Sequence, residues 1–178
     1  FTATAFVGGS SGTWTYASVP SPWPAQKRFR LYYFGEDSAD NVGTPAPGPI
    51  FAIDNAAPVA AIVSPVPGAS FTSFPPVSGT ATDGMTAVDS GVSAVQLSIR
   101  RLDSLEYWGG TAWISSATLP TPFNSTTFLG ASSGTWSYSS VPSPADIRSG
   151  VSYPLLSRGT DGLGNMQSTF GVGVSSIV

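Results

Sequence analysis

The feature that most narrows what this chain can fold into is that it repeats itself. Residues 1–22, FTATAFVGGSSGTWTYASVPSP, align without a gap with residues 123–144, FNSTTFLGASSGTWSYSSVPSP, at an offset of 122, and 15 of the 22 positions are identical. Further on, Gly35-Glu36-Asp37-Ser38-Ala39-Asp40-Asn41 matches Gly159-Thr160-Asp161-Gly162-Leu163-Gly164-Asn165 at an offset of 124, the intervening loop being two residues longer in the second copy. A period of about 122 residues has the length of a whole domain, and 178 residues hold roughly one and a half of them. Residues 1–57 then correspond to the C-terminal half of a module and residues 58–178 to a complete one. Between the copies, Ile53-Asp54-Asn55-Ala56-Ala57-Pro58 reads as a short, stiff connector.

Within the complete module the apolar residues recur with period two. Ala60 to Val63 is a short apolar strand closed by Ser64-Pro65-Val66-Pro67-Gly68, and Val77 to Thr82 is a second, ended by Asp83-Gly84. Val95, Leu97 and Ile99 alternate with Gln96, Ser98 and Arg100, a half-buried strand. Tyr107 to Trp113 reads as a hairpin with Gly109-Gly110 at the turn. Thr135 to Ser139, Ser152 to Arg158 and Met166 to Val174 add three more strands. Sixteen prolines and no sustained 3.6-residue period leave little room for helices. About seven short strands between turns imply an all-β fold of two packed antiparallel sheets, with Val95, Leu97, Ile99, Trp136, Tyr138, Tyr153 and Leu155 between them.

Composition excludes several functions. Charged residues are only 10% of the chain, its net charge is −3, and the tightest basic cluster is Lys27-Arg28-Phe29-Arg30. Nucleic acid needs cations spread along a face, so that partner is disfavoured. With no Cys and no His, there is no disulfide framework, no thiolate metal site and no Ser–His or Cys–His nucleophile. Asp103 and Glu106 lie near Trp108 and Trp113 in sequence, but a solvated turn beside core aromatics describes them better than a glycosidase pair. The expectation is a protein that is not an enzyme. No run of 18 apolar residues spans a bilayer here, and any export signal or anchor is expected outside this stretch.

Pro65-Val66-Pro67-Gly68, Ser78-Gly79-Thr80-Ala81-Thr82-Asp83 and Ser90-Gly91-Val92 followed by Val95-x-Leu97-x-Ile99 together form a pattern. Tyr107-Trp108-x-Gly-x-x-Trp113, Gly134-Thr135-Trp136-x-Tyr138 and Gly159-Thr160-Asp161-x-x-Gly164-Asn165 extend it. The whole chain thereby resembles the bacterial immunoglobulin-like (Big-type) tandem repeats of large secreted or cell-surface proteins. The resemblance implies immunoglobulin-like antiparallel β-sandwich modules in an extracellular stalk, filament or adhesive arm, with adjacent repeats or further copies of the chain as partners. It specifies fold far better than function. Two features depart from the pattern. Pro154 interrupts a strand, which suggests an edge or a bulge, and Val174 to Val178 lacks the connector that follows the first copy, so the array is expected to end or change character there.

Three sets of residues are candidates for binding. Asp37, Asp40, Asn41, Asp54, Asn55, Asp83 and Asp89 fall at turns and could supply oxygen ligands to calcium at the joint between modules; the same residues are ordinary turn formers that bond their own backbone. No cofactor is required on either reading. Position 40 becomes Gly164 in the second copy, which weighs towards turns. Trp108 and Trp113 offer a stacking platform for surface glycans if exposed, or a packed hairpin if not. Asn124-Ser125-Thr126 is an N-glycosylation acceptor by pattern. The half-module, finally, lacks the first strands of its sandwich, to be supplied by chain preceding it or by a neighbouring subunit through strand addition.

Overall fold

Period-two patterning in a proline-rich chain leaves extended structure as the outcome. In the computed structural model, which describes residues 4–24, 27–84, 88–115 and 122–177, every regular element among the described residues is a β-strand. Phe1 to Ala3, which open the first repeat stretch, and Val178 lie outside the described residues. The chain divides into two units, Phe1–Asp54 and Asn55–Val178.

The first unit holds two separate antiparallel pairs. β1 (Ala5–Gly8) and β2 (Gly12–Thr15) form a tight hairpin, with Phe6 opposite Trp14 and Gly8 opposite Gly12. β3 (Lys27–Tyr33) pairs with β4 (Ala46–Ile53), Lys27 opposite Ile53 and Tyr33 opposite Ala46, with a register shift between Arg30 and Tyr32. Trp23 packs edge-on against Phe29 and Phe51, which stack on one another.

The second unit begins with β5 (Val59–Ser64), β6 (Ala69–Phe71), β7 (Val77–Thr82) and β8 (Val92–Ile99). After these come β9 (Tyr107–Trp108), β10 (Trp113–Ile114), β11 (Asn124–Ser125), β12 (Thr127–Gly130) and β13 (Ser133–Tyr138). The last two strands are β14 (Ser152–Asp161) and β15 (Gly171–Ile177). One sheet runs β12-β13-β7-β5, the other β11-β8-β14-β15-β6, and β9-β10 is a small hairpin beside them. Ala60, Val77, Ala81, Trp136 and Tyr138 of the first sheet bury against Val95, Leu97, Ile99, Tyr153 and Leu155 of the second, with Phe74 and Trp108 joining the same cluster. The arrangement is β-sandwich-like. Along β14 the alternation is strict: Tyr153, Leu155, Ser157, Gly159 and Asp161 all point inward.

Several sequence-level boundaries move. Met166 makes only an isolated bridge to Thr160, and the last strand starts at Gly171 rather than Met166. β6 was not legible: three residues after a Pro-Gly turn carry too little period-two signal. It pairs with β15 in parallel, Ser175 opposite Ala69, so that sheet is not wholly antiparallel. Pro154 is not on an edge strand, since β14 is flanked by both β8 and β15. It sits opposite Val174 on one side, and on the other its C=O accepts the Arg100 N–H at 3.0 Å, so its missing N–H leaves that last pair with one hydrogen bond where two could form. The bulge in β14 lies instead at Thr160/Asp161.

Candidate functional site

The acidic turns of the two copies correspond atom by atom. In the first unit Asp37 Oδ1 accepts the backbone N–H of Ala39 (2.9 Å) and of Asn41 (3.0 Å), while the Asn41 amide nitrogen donates to Oδ2 (2.9 Å). In the second, Asp161 Oδ1 accepts the N–H of Leu163 (2.9 Å) and of Asn165 (2.7 Å), and the Asn165 amide donates to Oδ2 (2.6 Å). The backbone closes identically, Asp37 N–H to Asn41 C=O and Asp161 N–H to Asn165 C=O, both 3.1 Å. Asp40 and Gly164 occupy the same left-handed position, φ +59° and +88°. That explains their exchange: the position needs tolerance of positive φ, which Asp and Gly share. Asp37, Asp40 and Asn41 thus form a self-bonded turn.

Burial separates the copies. Asp37 is exposed, and its hydrogen bonds from the Asn41 side chain and the backbone N–H groups of Asn41 and Ala39 hold its carboxyl below the usual range. Asp161 is buried. Burial pushes its carboxyl up, but the Asn165 side chain, the Asn165 amide, the Ser90 hydroxyl and the Leu163 amide outweigh that and leave it below the usual range. Asp83 is also buried, with a carboxylate oxygen within 4.8 Å of one on Asp161, and its N–H donates to Ser132 C=O at 2.8 Å. The Asp89 carboxylate lies against Gly84, beside Asp83. Asp54 is buried at the end of the first unit, and Asn55, the next residue, is exposed. Asp161, which the sequence reading did not single out, was discoverable as the repeat partner of Asp37.

A carboxyl whose folded-state value lies below its unfolded one contributes stability at neutral pH that is lost as pH falls below about 4, where the unfolded chain takes the proton first. Asp161→Asn is therefore expected to flatten the acid limb of the second unit's unfolding, measured by chemical denaturation between pH 2 and 7. At pH 7 it should cost about 1.5–3 kcal/mol, the worth of hydrogen bonds to a charged group. Asp37→Asn should leave that limb unchanged; equal effects at both positions would refute the assignment.

The tryptophan hairpin is part of the core. Trp108 is 3% exposed, with Nε1–H donating to Ser140 C=O at 2.7 Å; Trp113 donates to Asp146 C=O at 2.7 Å. Their rings meet edge to face at 5.4 Å, and Trp113 also packs on Tyr153. Gly110 at the turn has φ +95°, as the Gly-Gly pair requires. The Arg101 guanidinium lies 4.9 Å from the Trp113 ring centre and pairs with Glu106, while Asp103 takes Arg148 at 2.7 Å. Burial raises the Asp103 carboxyl, but Arg148 and Arg101 bring it below the usual range; the Ser104 hydroxyl and Arg101 hold Glu106 low as well. Both carboxylates are thus held ionised by their neighbours, the reverse of what a general acid needs.

Asn124 is half-buried in β11. Its amide nitrogen donates to Trp108 C=O at 2.8 Å and, at 3.5 Å, to Leu97 C=O, while Thr126 Oγ donates to Val95 C=O at 2.7 Å. The acceptor nitrogen thereby ties β11 to the hairpin and to β8. Another polar bridge links the two sheets: Gln167 Oε1 accepts Ala60 N–H (2.8 Å) from β5 and Gly159 N–H (3.0 Å) from β14.

The larger contrast lies in apolar surface. Trp136 is 1% exposed and its repeat equivalent Trp14 is 47% exposed; Leu155 is fully buried and its equivalent Leu31 is 45% exposed. Phe6, Val7, Tyr32, Tyr33 and Ile50 are exposed as well. Isolated exposed apolar residues are normal, but this many on two short hairpins is an unusual density for a soluble surface. No protein-family model matches the chain, and no characterised protein matches it at significant sequence similarity.

Proposed function

We propose that this chain is a structural repeat of an extracellular filament, stalk or surface fibre, assembled by stacking or strand sharing of immunoglobulin-like sandwich modules. The observation that carries the reading is the pairing of identical local structure with opposite burial. β1·β2 and β12·β13 have the same register at the 122-residue offset, Phe6–Trp14 against Phe128–Trp136. β3·β4 and β14·β15 begin in the same register at the 124-residue offset, Lys27–Ile53 corresponding to residues 151–177 and Arg28–Ala52 to Ser152–Ser176. Trp136 and Leu155, covered in one copy, are bare as Trp14 and Leu31 in the other. A unit built this way is completed by neighbours, and an array of such units grows in one dimension.

Nothing in this role requires catalysis or a cofactor. An adhesin or glycan-binding role for Trp108 and Trp113 is the weaker reading, because both rings are packed and both indole N–H groups are used. Electron microscopy of the full chain at high concentration tests the proposal. Rods or fibres with an axial repeat are the expected result. Glycan-array binding that vanishes in Trp108→Ala or Trp113→Ala, without ordered assemblies, would overturn it.

A further inference from the structure

We infer that the open edge of β2, with the bare aromatic side chains beside it, is a receptor for one added β-strand, and that this strand carries glycine where it crosses Trp14. The inference rests on reading residues 1–54 as an incomplete copy of the second unit, and it adds the chemistry of what completes it.

The second unit shows what the equivalent edge takes. There β13 is flanked on one side by β12 and on the other by β7, in the register Gly134–Ala81, Thr135–Thr80, Trp136–Gly79, Ser137–Ser78 and Tyr138–Val77. Trp136 lies across Gly79 so closely that a Cβ on that residue would sit 2.7 Å from two atoms of the indole and collide with the Ala61 carbonyl. The next residue of the same strand answers the indole's polarity, Trp136 Nε1–H donating to Thr80 C=O at 3.1 Å. A tryptophan here therefore demands two things of its neighbour strand: no side chain opposite the ring, and a carbonyl one residue on.

β2 repeats β13 in sequence, Gly12-Thr13-Trp14-x-Tyr16 against Gly134-Thr135-Trp136-x-Tyr138, and in its register with the preceding strand. Among the described residues its sheet stops at two strands, and the far edge of β2 presents free rungs. Trp14 meets the Tyr33 ring at 6.2 Å and remains half in solvent. A strand of the Val77–Thr82 type added here in the β7 register sets glycine against Trp14, the small alanine against Gly12 and valine against Tyr16. Main-chain hydrogen bonds supply the affinity of such an addition, and alternate side chains supply the selectivity. An edge that only a glycine-bearing strand can cover is also guarded against indiscriminate edge-to-edge pairing.

The test titrates a peptide of residues 76–84, PVSGTATDG, into the full chain carrying ¹⁵N-labelled tryptophan. The Trp14 indole resonance is assigned by its loss in Trp14→Phe. Expected is a saturable shift of that resonance with Trp136 unmoved, and a Gly79→Val version of the peptide at least about tenfold weaker. No Trp14 shift at millimolar peptide, equal affinity for the valine peptide, or a shift at Trp136 instead would each overturn the inference. Absence of peptide binding in a chain that still forms rods removes the strand receptor and leaves the module reading standing; saturable binding by a chain that forms none does the opposite.

Discussion

Trp136→Ala is expected to destabilise the second unit by about 3–5 kcal/mol, while Trp14→Ala leaves that unit's unfolding midpoint within about 0.5 kcal/mol of the parent. The two residues sit in the same Gly-Thr-Trp-x-Tyr motif and the same hairpin register, so local structure predicts equal effects. Burial predicts otherwise. Trp136 is 1% exposed, packed in the cluster that joins the two sheets, and its N–H is satisfied by Thr80. Its removal forfeits the transfer free energy of an indole, opens a cavity, and leaves the Thr80 carbonyl without that donor. Trp14 is nearly half in water and belongs to the other unit. Urea denaturation of both variants, followed by circular dichroism to avoid dependence on the deleted fluorophore, separates the cases. Comparable losses at the two positions would mean that the first unit's apolar face is covered in the free protein, and the incomplete-copy reading would fail.

Gly79→Val is the second large effect, and here two principles predict opposite signs. By strand propensity, valine in place of glycine stabilises a strand by up to about 1 kcal/mol. By packing, any Cβ at this position meets the Trp136 ring and the Ala61 carbonyl from opposite neighbours, β13 and β5. Overpacking of a core costs typically 1–3 kcal/mol and more where the backbone itself blocks relief. The clash involves a carbonyl and a fully buried ring, neither of which can swing into solvent, so packing wins. The expected net loss is about 3 kcal/mol, measured as the shift in urea midpoint at unchanged slope. A stabilised variant would show that β7 and β13 stand further apart than described. Gly79→Ala should fall between parent and valine, because it brings the same first clash with less bulk behind it.

The acidic turns show how far the sequence reading reached. Asp37 and Asp161 adopt the same turn because what the two share lies within five residues: a carboxylate that caps two backbone amides, an Asn that closes on it, and a residue between them that accepts positive φ. Gly109-Gly110 fixed its hairpin by the same local logic. The cation reading of the turns drew on residue type alone: at Asp37 the loop's own N–H groups take the carboxylate, whereas Asp83 and Asp161 bring buried carboxylate oxygens within 4.8 Å of one another. Trp108 and Trp113 were ambiguous for a related reason. A tryptophan beside a turn is exposed or buried according to what crosses it, and what crosses these two comes from Ser140, Asp146 and Tyr153, some thirty to forty residues away.

Sequence by itself determined the repeat, the all-β character and the glycine turn of the tryptophan hairpin, since each depends on period and on glycine placement. Tertiary structure alone decided which of two identical residues is core and which is surface. It also decided that β14 runs through the middle of its sheet with Pro154 in it, and that β6 pairs in parallel with β15. The physical reason is that burial is a property of contacts between distant strands. Trp14 and Trp136 are written alike, and they differ because β7 and, beyond it, β5 continue the sheet across Trp136, whereas among the described residues the sheet of Trp14 stops at two strands.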